Sequence, residues 1–426
     1  MRLHITGPQS LNGTVKCPRS KSYTHRALLA SLLSEGETII VDPLECDDTK
    51  RTLDAVQSLG AIIHVEDNRI LTESTGRISA KTGKTIDCGE SGTSFRFLTA
   101  LAATSPVPIR LKVADSLARR PHEPLLKSLR ELGASTILKP GKQTMELEVH
   151  GPLKGGETWI QGNISSQFVS GLLFASPFAD SDVTIHVTGR LESSPYVEMS
   201  IAVLAQHGIK VNVNDNNSYH IPVPQKFLPA KHEVPGDFSS AAYLIAGASI
   251  AGDDITISGL KLESDHPDNL ILKIIDEIGV DTRWNSDKIR VKKDKLMNFK
   301  VDATDNPDLV PVLQVLGCFA DGESLITGVD RLRYKETNRL ATIPNELRKM
   351  GAKIQVEDDT MMIHGPCKLT GSLLDSHHDH RVAMSCSVAS LGATGDSTIQ
   401  NAETVSKSYP EFYNDLTKLG VQLHVE

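Results

Sequence analysis

Aromatic residues are scarce, at 4% of the 426 positions, and no apolar run approaches the length of a membrane span. The longest near-apolar stretch, residues 241–252, falls short of the roughly 20 residues a spanning helix needs. The opening residues, Met1-Arg2-Leu3-His4-Ile5-Thr6, alternate like a strand and lack the basic-then-apolar pattern of a secretion signal. There is no surplus of positive charge either. Lys and Arg number 45 against 53 Asp and Glu, a net charge of −8, which argues against a general nucleic-acid binder. Any anionic ligand must therefore be held by a local cluster of cations. The six cysteines (Cys17, Cys46, Cys88, Cys318, Cys367, Cys386) are scattered, with no Cys-x-x-Cys pair. That pattern implies reduced thiols in a cytoplasm, and neither a disulfide framework nor a zinc site. With 39% hydrophobic and 23% charged residues, the chain has a globular balance and enough length for two or three domains.

What is abundant is internal repetition. An amphipathic run ending in glycine, followed by a strand-like segment, occurs six times. The glycines are Gly60, Gly133, Gly208, Gly279, Gly351 and Gly420, spaced 69 to 75 residues apart. Each is placed to end a helix in a left-handed cap before a strand. Ahead of it, each copy carries a second helix that is small and apolar on all sides, as in Arg26-Ala27-Leu28-Leu29 or Ala241-Ala242-Tyr243-Leu244. Such helices are buried ones. Six units of this kind predict a pseudo-symmetric α/β protein.

The residues just before the buried helices carry the chemical signal. They are Ser20-Lys21-Ser22 with Arg26; Gly92-Thr93 with Arg96; Ser165-Ser166-Gln167; Gly236-Asp237; Asn306-Pro307-Asp308; and His378-Asp379-His380-Arg381. Ser, Asp and Gly are ordinary N-caps. The Lys and Arg are not, because a cation at a helix N-terminus opposes the dipole unless an anion docks there. More cations open the second helices: Arg119-Arg120-Pro121, the run Arg331 to Arg339, and Lys407-Ser408-Tyr409-Pro410. Lys335 and Arg339 are spaced to share one helical face, with Glu336 beside them. Gly83-Lys84-Thr85 imitates the end of a phosphate-binding loop, but the spacing from Gly76 is wrong and strand-like sequence follows. His377, His378 and His380 lack partners at metal-ligand spacing. No Gly-x-Ser-x-Gly elbow occurs, against an α/β-hydrolase.

Taken in order, these motifs resemble the EPSP synthase (3-phosphoshikimate 1-carboxyvinyltransferase) family of enolpyruvyl transferases, from Ser20 to Pro410. The resemblance implies a two-domain inside-out α/β barrel of six βαβαββ-type repeats, three per domain, around pseudo-threefold axes. One domain would be residues 18–230, binding shikimate 3-phosphate. The other would join residues 1–17 to 231–426 and clamp phosphoenolpyruvate. Hinge crossings are expected near 17–19 and 229–234, with a cleft that closes on substrate. The implied reaction moves the enolpyruvyl group of phosphoenolpyruvate to the 5-hydroxyl of shikimate 3-phosphate and releases phosphate. It needs no metal or organic cofactor, in a cytoplasmic enzyme that is a monomer and touches neither nucleic acid nor membrane.

By motif, the resemblance assigns Lys21 to both substrates and Ser22 and Arg26 to shikimate 3-phosphate. Ser165 and Ser166 would grip its phosphate, Ser193 and Tyr196 complete the pocket, and Gln167 lies between the substrates. Gly92 and Arg120 would receive phosphoenolpyruvate, with Arg339 and Arg381 on its carboxylate and Lys407 on its phosphate. Lys335 would contact the acceptor, Asp308 would take the 5-hydroxyl proton, and Glu336 would protonate the vinyl methylene. A cation beside Glu336 favours its ionised form, and substrate phosphates push back. Against the family pattern, Arg19 replaces Gly, Glu90-Ser91 replaces Asn-Ala, Phe97 replaces Pro, Arg331 replaces Asn and Asn338 replaces Asp. The sister enzyme acting on UDP-N-acetylglucosamine is disfavoured. It has Asn after the first Lys, where Ser22 stands, and a mobile-loop Cys that residues 112–120 lack. An RNA 3′-phosphate cyclase would be more basic. A repeat scaffold without chemistry is the remaining alternative.

Overall fold

The computed structural model describes residues 1–79, 85–141, 144–214 and 217–426. The look-alike Gly83-Lys84 lies outside these residues. Within them the chain divides into two compact units, Met1–Pro18 with Pro235–Glu426, and Arg19–Val234.

Each unit holds three four-stranded sheets built to one plan. In the simplest copy, strand Thr85–Gly89 runs parallel to Ile109–Ala114, which pairs antiparallel with Thr144–His150, which pairs antiparallel with Ser135–Pro140. Helix Gly92–Ala102 joins the first two strands, and helix Glu123–Glu131 joins the second to the hairpin. A parallel pair needs a crossover, and a helix supplies it; the antiparallel pair needs only a turn. The order is βαβαββ, continuous along the chain in three of the six sheets; the other three keep the same strand arrangement with one strand drawn from a distant part of the chain. The chain crossings complete sheets as well. The N-terminal strand Arg2–Gly7 lies between Gly395–Gln400 and Leu423–Val425. Lys231–Glu233, within the expected hinge crossing 229–234, is a strand parallel to Glu35–Val41.

The six repeat glycines all have positive φ, from 77° at Gly208 to 112° at Gly60. An L side chain there would be strained, so glycine ends each amphipathic helix cleanly. Six further helices are Lys21–Leu33, Gly92–Ala102, Ser166–Ala175, Phe238–Ala251, Val310–Phe319 and His380–Gly392, beside the single turn Asp115–Ala118. These six fill the interior of their units. Every residue of Phe238–Ala251 is buried. Helix His380–Gly392 is serine-rich yet almost wholly buried, because Ser387 and Ser390 return their hydroxyls to the carbonyls of Ala383 and Cys386. Each unit has its own apolar core, one centred on Leu28, Phe97 and Leu172, the other on Leu244, Leu313 and Val388. No helix among the described residues is long and apolar enough to cross a membrane.

Candidate active site

The buried helices pack against one another within each unit, and their first turns carry charged and capping side chains. In the unit Arg19–Val234, Ser20 caps Lys21–Leu33 by accepting from the Tyr23 N–H, which puts Lys21 at the first helical position. Its ammonium is 2.9 Å from Asp48. Ser91 caps Gly92–Ala102, and Ser165 caps Ser166–Ala175. Arg96 lies between these two helices. It donates to Gln167 Oε1 at 2.6 Å and to Ser165 Oγ at 3.4 Å, while Gln167 Nε2 donates to Thr93 Oγ1 at 2.9 Å. Gly92 has a spatial reason as well. A Cβ there would stand 3.3 Å from Arg120 Nη1 and 3.7 Å from Arg96 Nη1, inside the space the two guanidinium groups border. Arg120 itself is 8% exposed. One neighbourhood therefore offers two guanidinium groups and the first-turn N–H groups of a helix, the elements of an anion site.

Arg26 is buried at 2% exposure. Its guanidinium donates to Ser22 O at 2.8 Å, Tyr196 O at 2.9 Å and Ser200 Oγ at 2.8 Å, under the Phe97 ring. It thus ties the first turn of Lys21–Leu33 to the first turn of Ser194–Gln206. Ser193, ahead of that helix, has φ 57°, a left-handed conformation uncommon for serine and held by the surrounding contacts. A hydroxyl chain braces the same region: Thr52 Oγ1 is 2.7 Å from both His25 Nδ1 and Ser94 Oγ, and Ser94 Oγ is 2.7 Å from Ser91 Oγ.

In the other unit the centre is Asp308, just before Val310–Phe319. One carboxylate oxygen is 3.1 Å from Lys335 Nζ and 3.2 Å from Arg339 Nη1; the other is 3.9 Å from Arg381 Nη2. Asp379, fully buried, caps His380–Gly392 and grips Arg339 through both oxygens, at 2.8 and 3.0 Å. Glu336 accepts from Arg339 Nη2 at 2.6 Å. Arg381 donates to Ser239 O at 2.5 Å and lies over the Tyr243 ring. Lys407 donates to His378 O at 3.2 Å, close to the same helix start. Asp268 supports the group from behind. Fully buried, it receives the Ser239 hydroxyl at 2.5 Å and Asn306 Nδ2 at 3.0 Å, so it fixes both the carbonyl that holds Arg381 and the loop that carries Asp308.

The charges set the protonation states. Burial alone would raise Asp308, but Lys335, Arg381 and Arg339 together hold it well below the usual carboxylate range. Burial brings Lys335 down to about 8, opposed by Asp308 and reinforced by Arg331 and Arg339. Arg339 and Arg381 are also disfavoured by burial, yet their carboxylate neighbours keep them firmly protonated. Asp268 moves the other way. Burial pushes it above its ordinary value, His266 opposes that, and Asp308 adds to it. The cluster is thus an ionised carboxylate surrounded by three cations.

Two local readings need correction. Lys335 and Glu336 are not on a helix. A 3-10 turn, Asp330–Tyr334, ends at Lys335 in extended backbone, and the α-helix begins only at Arg339. The ion pairs to Asp308 and Asp379 decide the path there, beyond the reach of i,i+4 spacing. Lys407 closes a 3-10 helix, Ala402–Lys407, and the last α-helix starts five residues later at Phe412. The histidine cluster is a turn. His377 and His378 have φ of 51° and 59°, and His377 Nε2 is 2.8 Å from Glu346. Four residues with clear positions in these networks had no role assigned from sequence: Asp48, Arg96, Asp268 and Asp379. Arg96 and Asp379 stood within the quoted helix starts and were open to that reading. Asp48 and Asp268 meet their partners only through the fold.

The comparisons with known proteins agree with one another. The family model of EPSP synthase (3-phosphoshikimate 1-carboxyvinyltransferase) matches residues 5–416. A 3-phosphoshikimate 1-carboxyvinyltransferase of Methanococcoides burtonii is 38% identical over 421 residues, spanning 98% of each chain. One of Halobacterium salinarum is 37% identical over 428 residues, spanning 98% of this chain and 99% of its own. The solved EPSP synthase of Acinetobacter baumannii superposes with a TM-score of 0.84 at 25% identity, covering 100% of this chain and 99% of that one. The enolpyruvyl transferase NikO of Streptomyces tendae shares the fold, with a TM-score of 0.80 at 18% identity, covering 99% and 98%.

Proposed function

The chain belongs to the EPSP synthase (3-phosphoshikimate 1-carboxyvinyltransferase) family, and on that premise we propose how its own residues divide the work. The activity is transfer of the enolpyruvyl group of phosphoenolpyruvate to the 5-hydroxyl of shikimate 3-phosphate with release of phosphate, a step of aromatic amino-acid biosynthesis. The UDP-N-acetylglucosamine reaction is not favoured.

In this reading Ser22, Ser165, Ser166, Ser193 and Tyr196 receive the acceptor and its phosphate, with Arg26 holding Ser22 and Tyr196 in place. Lys21 and Gln167 contact both substrates. Arg120 and the open space at Gly92 take the phosphoenolpyruvate phosphate, and Lys407 adds a second cation to it. Arg339 and Arg381 clamp the phosphoenolpyruvate carboxylate, and Lys335 contacts the acceptor acid. Asp308 removes the 5-hydroxyl proton and Glu336 delivers one to the methylene carbon. The oxygen then attacks C2, giving a tetrahedral intermediate, and proton loss from the new methyl group expels phosphate and regenerates the vinyl group.

One observation carries the assignment: a single carboxylate, Asp308, with three cations within 3.9 Å. A carboxylate so stabilised is a poor base until the cations find other anions. Substrates that bring carboxylates and phosphates supply them and return basicity to Asp308, so proton removal is coupled to full occupancy. We also propose a cytoplasmic monomer, which sedimentation of the purified chain tests. For the chemistry, phosphate release from phosphoenolpyruvate is followed with and without shikimate 3-phosphate. Release that depends on the acceptor supports the reading, and equal release in both cases overturns it.

A further inference from the structure

The cysteines look isolated along the chain, yet two of them meet. Cys318 is the penultimate residue of Val310–Phe319, and Cys367 follows strand Thr360–Gly365. The Cys367 N–H donates to the Cys318 carbonyl at 2.7 Å. Adding about 2.4 Å from Cα to carbonyl oxygen and about 1.46 Å from N to Cα bounds their Cα separation at about 6.6 Å. That lies inside the range of about 4.4–6.8 Å that disulfides span. The two side chains lie close enough for each to shift the other's ionisation, and the Cys367 sulfur also contacts the His364 carbonyl at 3.1 Å. The remaining four cysteines, Cys17, Cys46, Cys88 and Cys386, are buried, whereas Cys367 is partly exposed.

We propose that Cys318 and Cys367 form a redox-active dithiol, a modification site at which hydrogen peroxide oxidises Cys367 and Cys318 then closes a reversible disulfide. The surroundings suit the two roles. The neighbouring Cys318 thiol pulls Cys367 down to about 6 against burial, helped by Lys353 and His364. A thiolate with some exposure near cations is the reactive form of cysteine. Cys318, fully buried, stays a thiol well above its ordinary range, chiefly through the neighbouring Cys367 sulfur and then through burial. Access is short. Phe319 and Pro366, the chain neighbours of the pair, line a cavity of about 330 Å³ with Lys295, Asp321 and Leu391.

The steps balance. The Cys367 sulfur attacks the peroxide, the O–O bond breaks, and sulfenic acid and one water form. The anion beside Cys318 is then gone, and with it the main cause that kept Cys318 protonated. The Cys318 sulfur attacks the sulfenic sulfur, the S–O bond breaks, and a second water leaves. Two thiols have lost two hydrogens and one peroxide has become two waters. The bridge would close the segment that carries Lys335, Glu336 and Arg339, and thiol reductants would open it.

The test uses the full-length reduced protein with hydrogen peroxide as oxidant, quenched by an alkylating agent and read by intact mass and peptide mapping. The expected product is 2 Da lighter in the ~2 Da sense of two lost hydrogens, has two fewer alkylatable thiols, maps to a 318–367 cross-link and reverts with dithiothreitol. Cys318→Ser and Cys318→Ala should instead accumulate a sulfenic acid at Cys367, trapped by dimedone. Two substitutions guard against one that misfolds, with unchanged thermal unfolding as the check. Oxidation of Cys367 no faster than of the four buried cysteines overturns the proposal. So does a sulfenic or sulfinic product without the cross-link in the unsubstituted protein.

Discussion

Replacing Asp308 with Asn keeps the shape of the side chain and removes one charge, and its two consequences point in opposite directions. Loss of a general base costs about 10²- to 10⁴-fold in kcat, or about 3–5 kcal/mol of activation free energy. The three cations simultaneously lose their internal counter-charge. At separations of 3.1, 3.2 and 3.9 Å, each pair is worth about 4–5 kcal/mol at an effective dielectric of about 20. The Asp308 side chain is 28% exposed, so solvent screens much of that. If a quarter of one such term passes to an incoming carboxylate, affinity rises by about 1 kcal/mol, roughly fivefold. Asp308→Asn should therefore lower kcat by at least about a hundredfold while the KM for phosphoenolpyruvate falls. The assay is continuous phosphate release at saturating shikimate 3-phosphate, with thermal unfolding measured alongside, because three uncompensated cations also weaken the fold. A kcat reduced less than about tenfold would remove Asp308 from the role of base. A KM that rises in step with the fall in kcat would mean that the substitution had disordered the site.

Glu336→Gln should lower turnover by about 10²-fold or more with little change in the binding of either substrate; equal losses in both would count against the acid role. Lys335 sits near 8 in the free protein. Its charge is present below that pH and lost above it, so kcat/KM for the acceptor should fall as pH rises through about 8, and Lys335→Arg should shift that limb upward. A limb that stays put in the variant assigns it to another group. Asp268→Asn should loosen Ser239 and the Asp308 loop together. The expected result is a drop of about tenfold in kcat/KM for phosphoenolpyruvate, about 1.4 kcal/mol, with binary binding of shikimate 3-phosphate unchanged; weakened binary binding would show a global structural effect instead.

Much of the architecture can be read directly from the chain, because it is written in local rules. A glycine that must adopt positive φ recurs at six positions, and helices apolar on every side mark what must be buried. The helix starts could also be read, since Ser20, Ser91, Ser165, Asp237 and Asp379 are good caps and the cations beside them conflict with the dipole. The boundary at Arg339 could not. Spacing alone favours a helix through Lys335, and only the long-range pairs to Asp308 and Asp379 break it.

The sequence by itself determined the repeat, its cap glycines and the set of charged residues available, since each follows from backbone sterics and the sidedness of helices. Tertiary structure decided which of those residues became partners. Lys21 finds Asp48, Arg96 finds Gln167, Arg339 finds Asp379, and Cys318 finds Cys367 because separate elements converge when they bury their apolar faces. Hydrogen bonds and ion pairs act over a few ångströms of space, and no periodicity along the chain encodes which distant residues that burial will bring within reach.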